Sequence, residues 1–160
     1  TTEFMSLTKG FGIINHTFDH YAPVVPGKVG GRHQGVLVSM ENGKATTYGM
    51  MGVEDRGTLF VEPGTEVYEG MIVGENTRDN DITVNITKQK QKTNIRSANK
   101  DQTNVIKKPR ILTLEEALEY LSDDEYLEVT PESIRLRKQI LDKGERERVA
   151  KKKKFAELEN

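Results

Sequence analysis

Apolar positions in this chain fall into short clusters set apart by glycine, proline and acidic residues. The first cluster, EFMSLTK over 3–9, carries Phe4, Met5 and Leu7 and stops at Gly10. That is the pattern of the last turns of a helix ended by glycine. FGIINHTFDHY, 11–21, is dense in β-branched and aromatic residues and predicts a strand. Pro23, Pro26 and Gly27 close it, and GKVGGRHQG, 27–35, with four glycines, predicts a loop. Short strand patterns then recur at hairpin spacing: GVLVSM (35–40), KATTYGM (44–50), TLFVE (58–62), TEVY (65–68), MIVGE (71–75) and ITVNI (82–86). This spacing predicts an antiparallel sheet curled into a small barrel, with glycines at 49, 52, 57, 64, 70 and 74 supplying the bends.

Beyond residue 110 the period changes. Thr113-Leu114-Glu115-Glu116 has the form of a capping box, in which hydroxyl and carboxylate each bond the other residue's amide. Leu114, Ala117, Leu118 and Leu121 then share one helical face. YLEV, 126–129, reads as a strand. In SIRLRK, 133–138, Ile134 and Leu136 alternate with Arg135 and Arg137, which favours a strand over a helix starting at Pro131. The tail KGERERVAKKKKFAELEN predicts a solvated helix. The expected class is α+β, mainly antiparallel with flanking helices.

Composition narrows the function classes. The chain has 160 residues, 34% of them hydrophobic, with 6% aromatics and no tryptophan; mean hydropathy is −0.65. A modest core for one domain is expected. Zero cysteines exclude disulfides and thiolate metal sites and fit a reducing cytoplasm. With no apolar run near 18 residues and no signal-peptide pattern, no membrane segment is predicted. The opening Thr-Thr-Glu-Phe suggests a piece of something longer.

Enzymatic motifs fail on spacing. A phosphate-binding loop needs G-x-x-x-x-G-K-[ST], but Gly43-Lys44 is followed by Ala45 and position 38 is Val. In Asn99-Lys100-Asp101-Gln102 the Asp stands one place too early for a guanine-reading motif. His16 and His20, four apart, suit zinc only on a helix; on a strand they lie roughly 13 Å apart. Asp79-Asn80-Asp81 and Asp123-Asp124-Glu125 lack calcium-loop spacing. No catalytic residue and no metal site is expected.

Charge changes the picture most. Between 88 and 110 stand eight bases (Lys88, Lys90, Lys92, Arg96, Lys100, Lys107, Lys108, Arg110) against one acid, Asp101, although the whole chain carries −1. From 111 to 134 there are eight acids and no base. A charge run is ordinarily a solvated loop. Yet a structureless connection longer than about 12–15 residues is uncommon in a compact domain unless it is functional or disordered. Its polar residues Thr93, Asn94, Ser97, Asn99, Gln102, Thr103 and Asn104 are of the kind that bond phosphate and sugar oxygens. The segment contains no aromatic, which argues against base stacking and for gripping a nucleic-acid backbone. Lys28, Arg32, Arg135, Arg137 and Lys138 are expected to add to this surface. Without RNA, residues 90–104 are expected to be weakly ordered. The alternative is a protein–protein module, without direct RNA contact, that uses the acidic 111–134 strip or the exposed sheet.

The stretches FGIINHTFDHYAPVVPGKVGGRHQGVLVSMENGKATTYG, EDRGTLFVEPGTEVYEGMIVGE, NDITVN, TNIRSANKDQT and LTLEEALEYLSDDEYLEVTPESIRLRK together resemble the C-terminal region of the TypA/BipA family. These are bacterial translational GTPases related to elongation factor G, and the similarity runs through nearly the whole chain. It implies that residues 1–21 are the last helix and strand of a truncated ferredoxin-like domain. By the same resemblance 22–142 are the family's own C-terminal domain, and 143–160 form a basic tail helix without an assigned role. It also implies that GTP and Mg belong to an upstream domain, so this part needs no cofactor and takes no small-molecule substrate. The implied partners are the ribosome, through large-subunit rRNA, and the A-site tRNA, reached by the loop matching Gln91–Lys108. The implied setting is cytoplasmic, in large-subunit assembly and in growth under stress, including cold.

Overall fold

A computed structural model describes residues 2–24, 32–90 and 106–158. Helix α1 (Thr2–Leu7) ends as expected, with Lys9 and Gly10 in left-handed backbone and the Gly10 amide donating to Met5. The following 11–24 forms no helix or strand and pairs with no described strand, leaving Phe11, Ile13, Phe18 and Tyr21 exposed. β-branched residues favour a strand only where neighbours complete its ladder. The strand expected at 11–21 is therefore absent among the described residues.

The sheet is built around β5 (Met71–Asn76). β1 (Val36–Ser39) runs antiparallel along one side of it. The other side is shared by β3 (Gly57–Leu59) and β8 (Ile134–Lys138), and β7 (Glu125–Val129) continues the sheet beyond β8. A separate two-stranded ribbon pairs β2 (Gly43–Lys44) with β4 (Glu66–Val67). β6 (Ile82–Val84) forms the far edge, and it runs parallel to β1. The sheet is thus mainly rather than wholly antiparallel, and its path stays open among the described residues: the expected barrel does not close.

Both faces of the central strands are covered. Leu37, Met71 and Val73 point to one core with Met50, Leu59, Val84 and Ile86; Val36, Val38 and Ile72 point to a second with Ala117 and Leu136. A strand buried on both faces reads as an unbroken apolar run, as VLV and MIV do here. Helix α3 (Leu114–Tyr120) covers the second face. Its capping box is fully formed, the Thr113 hydroxyl accepting from the Glu116 amide and the Glu116 carboxylate from the Thr113 amide. Helix α4 (Lys143–Leu158) follows β8, as the tail pattern predicted.

Residues 45–50 depart from the strand expectation. Helix α2 (Thr47–Met51) forms there because Thr46, read as a strand former, instead accepts the Gly49 amide at 3.0 Å as an N-cap. Gly49 is what lets α2 sit down: a Cβ there would lie 2.4 Å from the Ile86 carbonyl oxygen. Glycine to alanine in an open helix stabilises. Gly49→Ala should instead destabilise by about 1–3 kcal/mol through overpacking, seen as a lower urea midpoint at unchanged m-value.

Candidate nucleic-acid interface

The two ends of the basic segment are tied to one short stretch of chain. At the entrance the Thr46 hydroxyl donates to the Lys88 carbonyl at 2.5 Å and the Thr46 amide to Ile86 at 2.8 Å. At the exit the Lys107 amide donates to the Glu54 carboxylate, and the Arg110 amide donates to Leu59 at 2.8 Å. Glu54 opens a 3-10 turn, Glu54–Arg56, just after α2, and Ile106 packs onto the core beneath. Residues 46–59 therefore form the platform from which the segment leaves and to which it returns.

Those anchors use backbone atoms of the lysines, which leaves their side chains available. Lys88, Lys90, Lys107 and Lys108 are all exposed, and none forms an ion pair among the described residues. Arg110 lies 3.6 Å from Glu116. Lys92, Thr93, Asn94, Arg96, Ser97, Asn99, Lys100, Gln102 and Thr103 lie outside the described residues, as does Lys28. The expected loose order of 90–104 falls almost wholly on that same stretch.

Arg32 and Lys138 correct the sequence-based expectation. Glu125, whose side chain is fully buried, accepts both terminal nitrogens of Arg32 at 3.0 and 2.8 Å and Lys138 Nζ at 2.9 Å. Lys138 also meets Asp124 at 2.8 Å and Asp81 at 2.6 Å, with only 3% of its side chain exposed. Burial alone would push both cations' pKa values down. Hydrogen bonds and charge from the carboxylates more than offset it, holding Arg32 and Lys138 above their ordinary values. Arg32 also lies over Tyr120, 4.5 Å from the ring centre, and Tyr120 meets Phe60 edge-on. These two cations bind the start of β1, the approach to β6 and the β7–β8 pair together. They are not part of an open surface.

Arg137 and Arg135 lie half-buried on the opposite face of β8. Arg137 pairs with Glu128 at 2.7 Å and lies over Tyr126; the Tyr68 hydroxyl donates to the same Glu128 at 2.6 Å. Burial, then the Glu128 contact, pushes the Tyr68 hydroxyl well above its ordinary value. Arg137 is thus partly neutralised. Arg135, opposite Glu128 in the β7–β8 register, has no ion pair among the described residues.

Sequence reading missed a neighbour. Arg56, in the 3-10 turn beside α2, is exposed and forms no ion pair among the described residues. Arg56 lines the same groove as Lys88 from a turn that follows α2, and a five-residue helix leaves no periodic trace to read.

Residues 34–143 match the sequence model of the TypA/BipA C-terminal domain. The chain belongs to that family. It is 73% identical over 158 residues to the large ribosomal subunit assembly factor BipA of Bacillus subtilis, covering 99% of this chain and 26% of that protein. It is 48% identical over 147 residues to the protein of the same name from Escherichia coli K12, covering 92% and 24%. The Haemophilus influenzae counterpart is 44% identical over 146 residues, covering 91% and 24%. The chain thus spans about a quarter of the length of the curated relatives it matches.

Proposed function

We propose that this TypA/BipA C-terminal domain binds the ribosome without catalysing a reaction. Its basic segment, 88–108, would contact the backbones of large-subunit rRNA and A-site tRNA. The sorting of its cations supports this reading. Arg32 and Lys138 are neutralised by the fold's own carboxylates and Arg137 partly so, whereas Lys88, Lys90, Lys107 and Lys108 remain exposed around a single platform. Like charges crowded together repel, and a polyanion relieves that repulsion while releasing its condensed counterions. The relatives' name, large ribosomal subunit assembly factor, gives the polyanion its setting. GTP and Mg would act in another domain of a ribosome-dependent, cytoplasmic GTPase serving subunit assembly and growth under stress or cold.

The test is a salt titration of binding to ribosomes and to a structured RNA. Neutralising about six phosphates should make log affinity fall with log salt at a slope of roughly −4. A flat dependence would remove the electrostatic premise. The rival reading places a protein partner on the acidic strip, where Ile111 and Leu118 are 59% and 56% exposed. It requires binding that survives RNase and depends on 115–125, and that result would displace the proposal.

A further inference from the structure

An open groove of about 430 Å³ runs between α2 and the chain leaving β6, lined by Tyr48, Met51, Arg56, Val84, Asn85 and Lys88. It adjoins the entrance of the basic segment, since Lys88 belongs to both. The Thr46 hydroxyl fixes this proximity: it caps α2 two residues before Tyr48 and holds the Lys88 carbonyl. Tyr48 and Met51 are 43% and 37% exposed, an aromatic ring and a thioether side by side on a surface where large apolar side chains are otherwise costly to leave in water. Arg56 and Lys88 stand exposed at the same groove without an ion pair among the described residues. The adjacent carboxylate of Glu54 is engaged by the Lys107 amide.

We propose that this groove receives the base of one unpaired RNA nucleotide, stacked on Tyr48, with Arg56 and Lys88 holding the phosphates on either side. The inference rests on the RNA-binding reading above and sharpens it. An aromatic face beside paired cations is the minimal platform for a single-stranded base, and it tolerates any base because every base has a π face. A base already stacked and paired within an A-form helix cannot offer that face. The domain would therefore favour RNA in which a helix meets an unpaired strand, the basic segment gripping backbone while the groove takes the free base. The segment itself contains no aromatic, so the stacking surface has to come from elsewhere in the fold, and α2 delivers it.

The experiment compares two RNAs binding to the full-length protein by fluorescence anisotropy: a blunt hairpin, and the same hairpin with a four-nucleotide 3′ overhang. The protein should bind the overhang RNA about tenfold more tightly than the blunt one. Tyr48→Ala should abolish that preference, a loss of about tenfold on the overhang RNA, with the salt slope and blunt-hairpin affinity unchanged. Tyr48→Phe should keep the preference. Arg56→Gln should flatten the salt slope on the overhang RNA by about one unit. Equal, salt-steep binding to both RNAs, or a preference that survives Tyr48→Ala, overturns the groove and leaves the basic segment standing. If neither RNA shows salt-dependent binding, the RNA-binding reading itself falls, and this inference with it.

Discussion

Replacing Glu125 with alanine is expected to lower the unfolding free energy by about 3–5 kcal/mol, the usual cost of removing one member of a buried ion pair. Glu125 accepts from Arg32, from Lys138 Nζ and from the Ser122 amide at 3.1 Å, and its side chain has no exposure. Without it, Arg32 loses both of its carboxylate bonds while its side chain stays 9% exposed. Lys138 keeps Asp81 and Asp124, so the loss falls mainly on Arg32. Urea denaturation at constant m-value measures the effect, and a loss below about 1 kcal/mol would mean that water reaches the cluster. Replacing Glu125, Arg32 and Lys138 together with apolar residues of similar size should recover much of the loss, because no buried cation is then left partly unpaired.

The same cluster sets a pH dependence. Burial lowers the Lys138 pKa and the hydrogen bonds it donates to Asp124, Asp81 and Glu125 raise it, with the net direction upward. The folded value lies above the unfolded one. The ammonium's contribution is therefore fully present below the ordinary lysine value near 10.5 and is lost as pH climbs through the folded value. Lys138→Met should remove this alkaline component of unfolding. It should also leave the salt slope of RNA binding unchanged, because the side chain is enclosed by carboxylates.

What the sequence reveals of this fold follows the range of the interactions involved. The capping box at Thr113 and Glu116 is readable because both partners lie within one turn and only the local chain decides it. The alternation at 134–138 is readable because β8 keeps Leu136 and Lys138 on one face and Arg135 and Arg137 on the other. Thr46 misleads because its β-branched side chain suits a strand, whereas its hydroxyl is used as a helix cap. The parallel pairing of β6 with β1 is invisible because alternation carries no strand direction. Arg32 and Lys138 resemble surface cations because the partner that removes Arg32 from water stands 93 residues away. The charge density of 88–110 is legible, but its platform at 46–59 is not, since it depends on that hidden helix.

The largest expected effect on function comes from the four described lysines of the segment. Changing Lys88, Lys90, Lys107 and Lys108 to glutamine should weaken RNA binding near 0.15 M salt by about two to three orders of magnitude. It should also flatten the salt slope by about three units, at 0.7–0.9 per phosphate contact. The fold should survive. All four side chains are exposed, and the anchors at Lys88 and Lys107 run through a carbonyl and an amide that glutamine keeps. The variant lowers the net charge of the chain from −1 to −5 (−1 less four), so weaker binding alone would not separate a docking segment from a general loss of positive field. A matched change on α4 separates them. Lys151, Lys152 and Lys154 are also exposed there, and replacing them with glutamine brings the net charge to −4 (−1 less three). If the proposed contact lies at the segment, the α4 variant should bind within a fewfold of the unmodified protein and keep its slope. Equal losses in both variants would mean that RNA responds to the charge of the whole molecule and that the platform at 46–59 positions nothing.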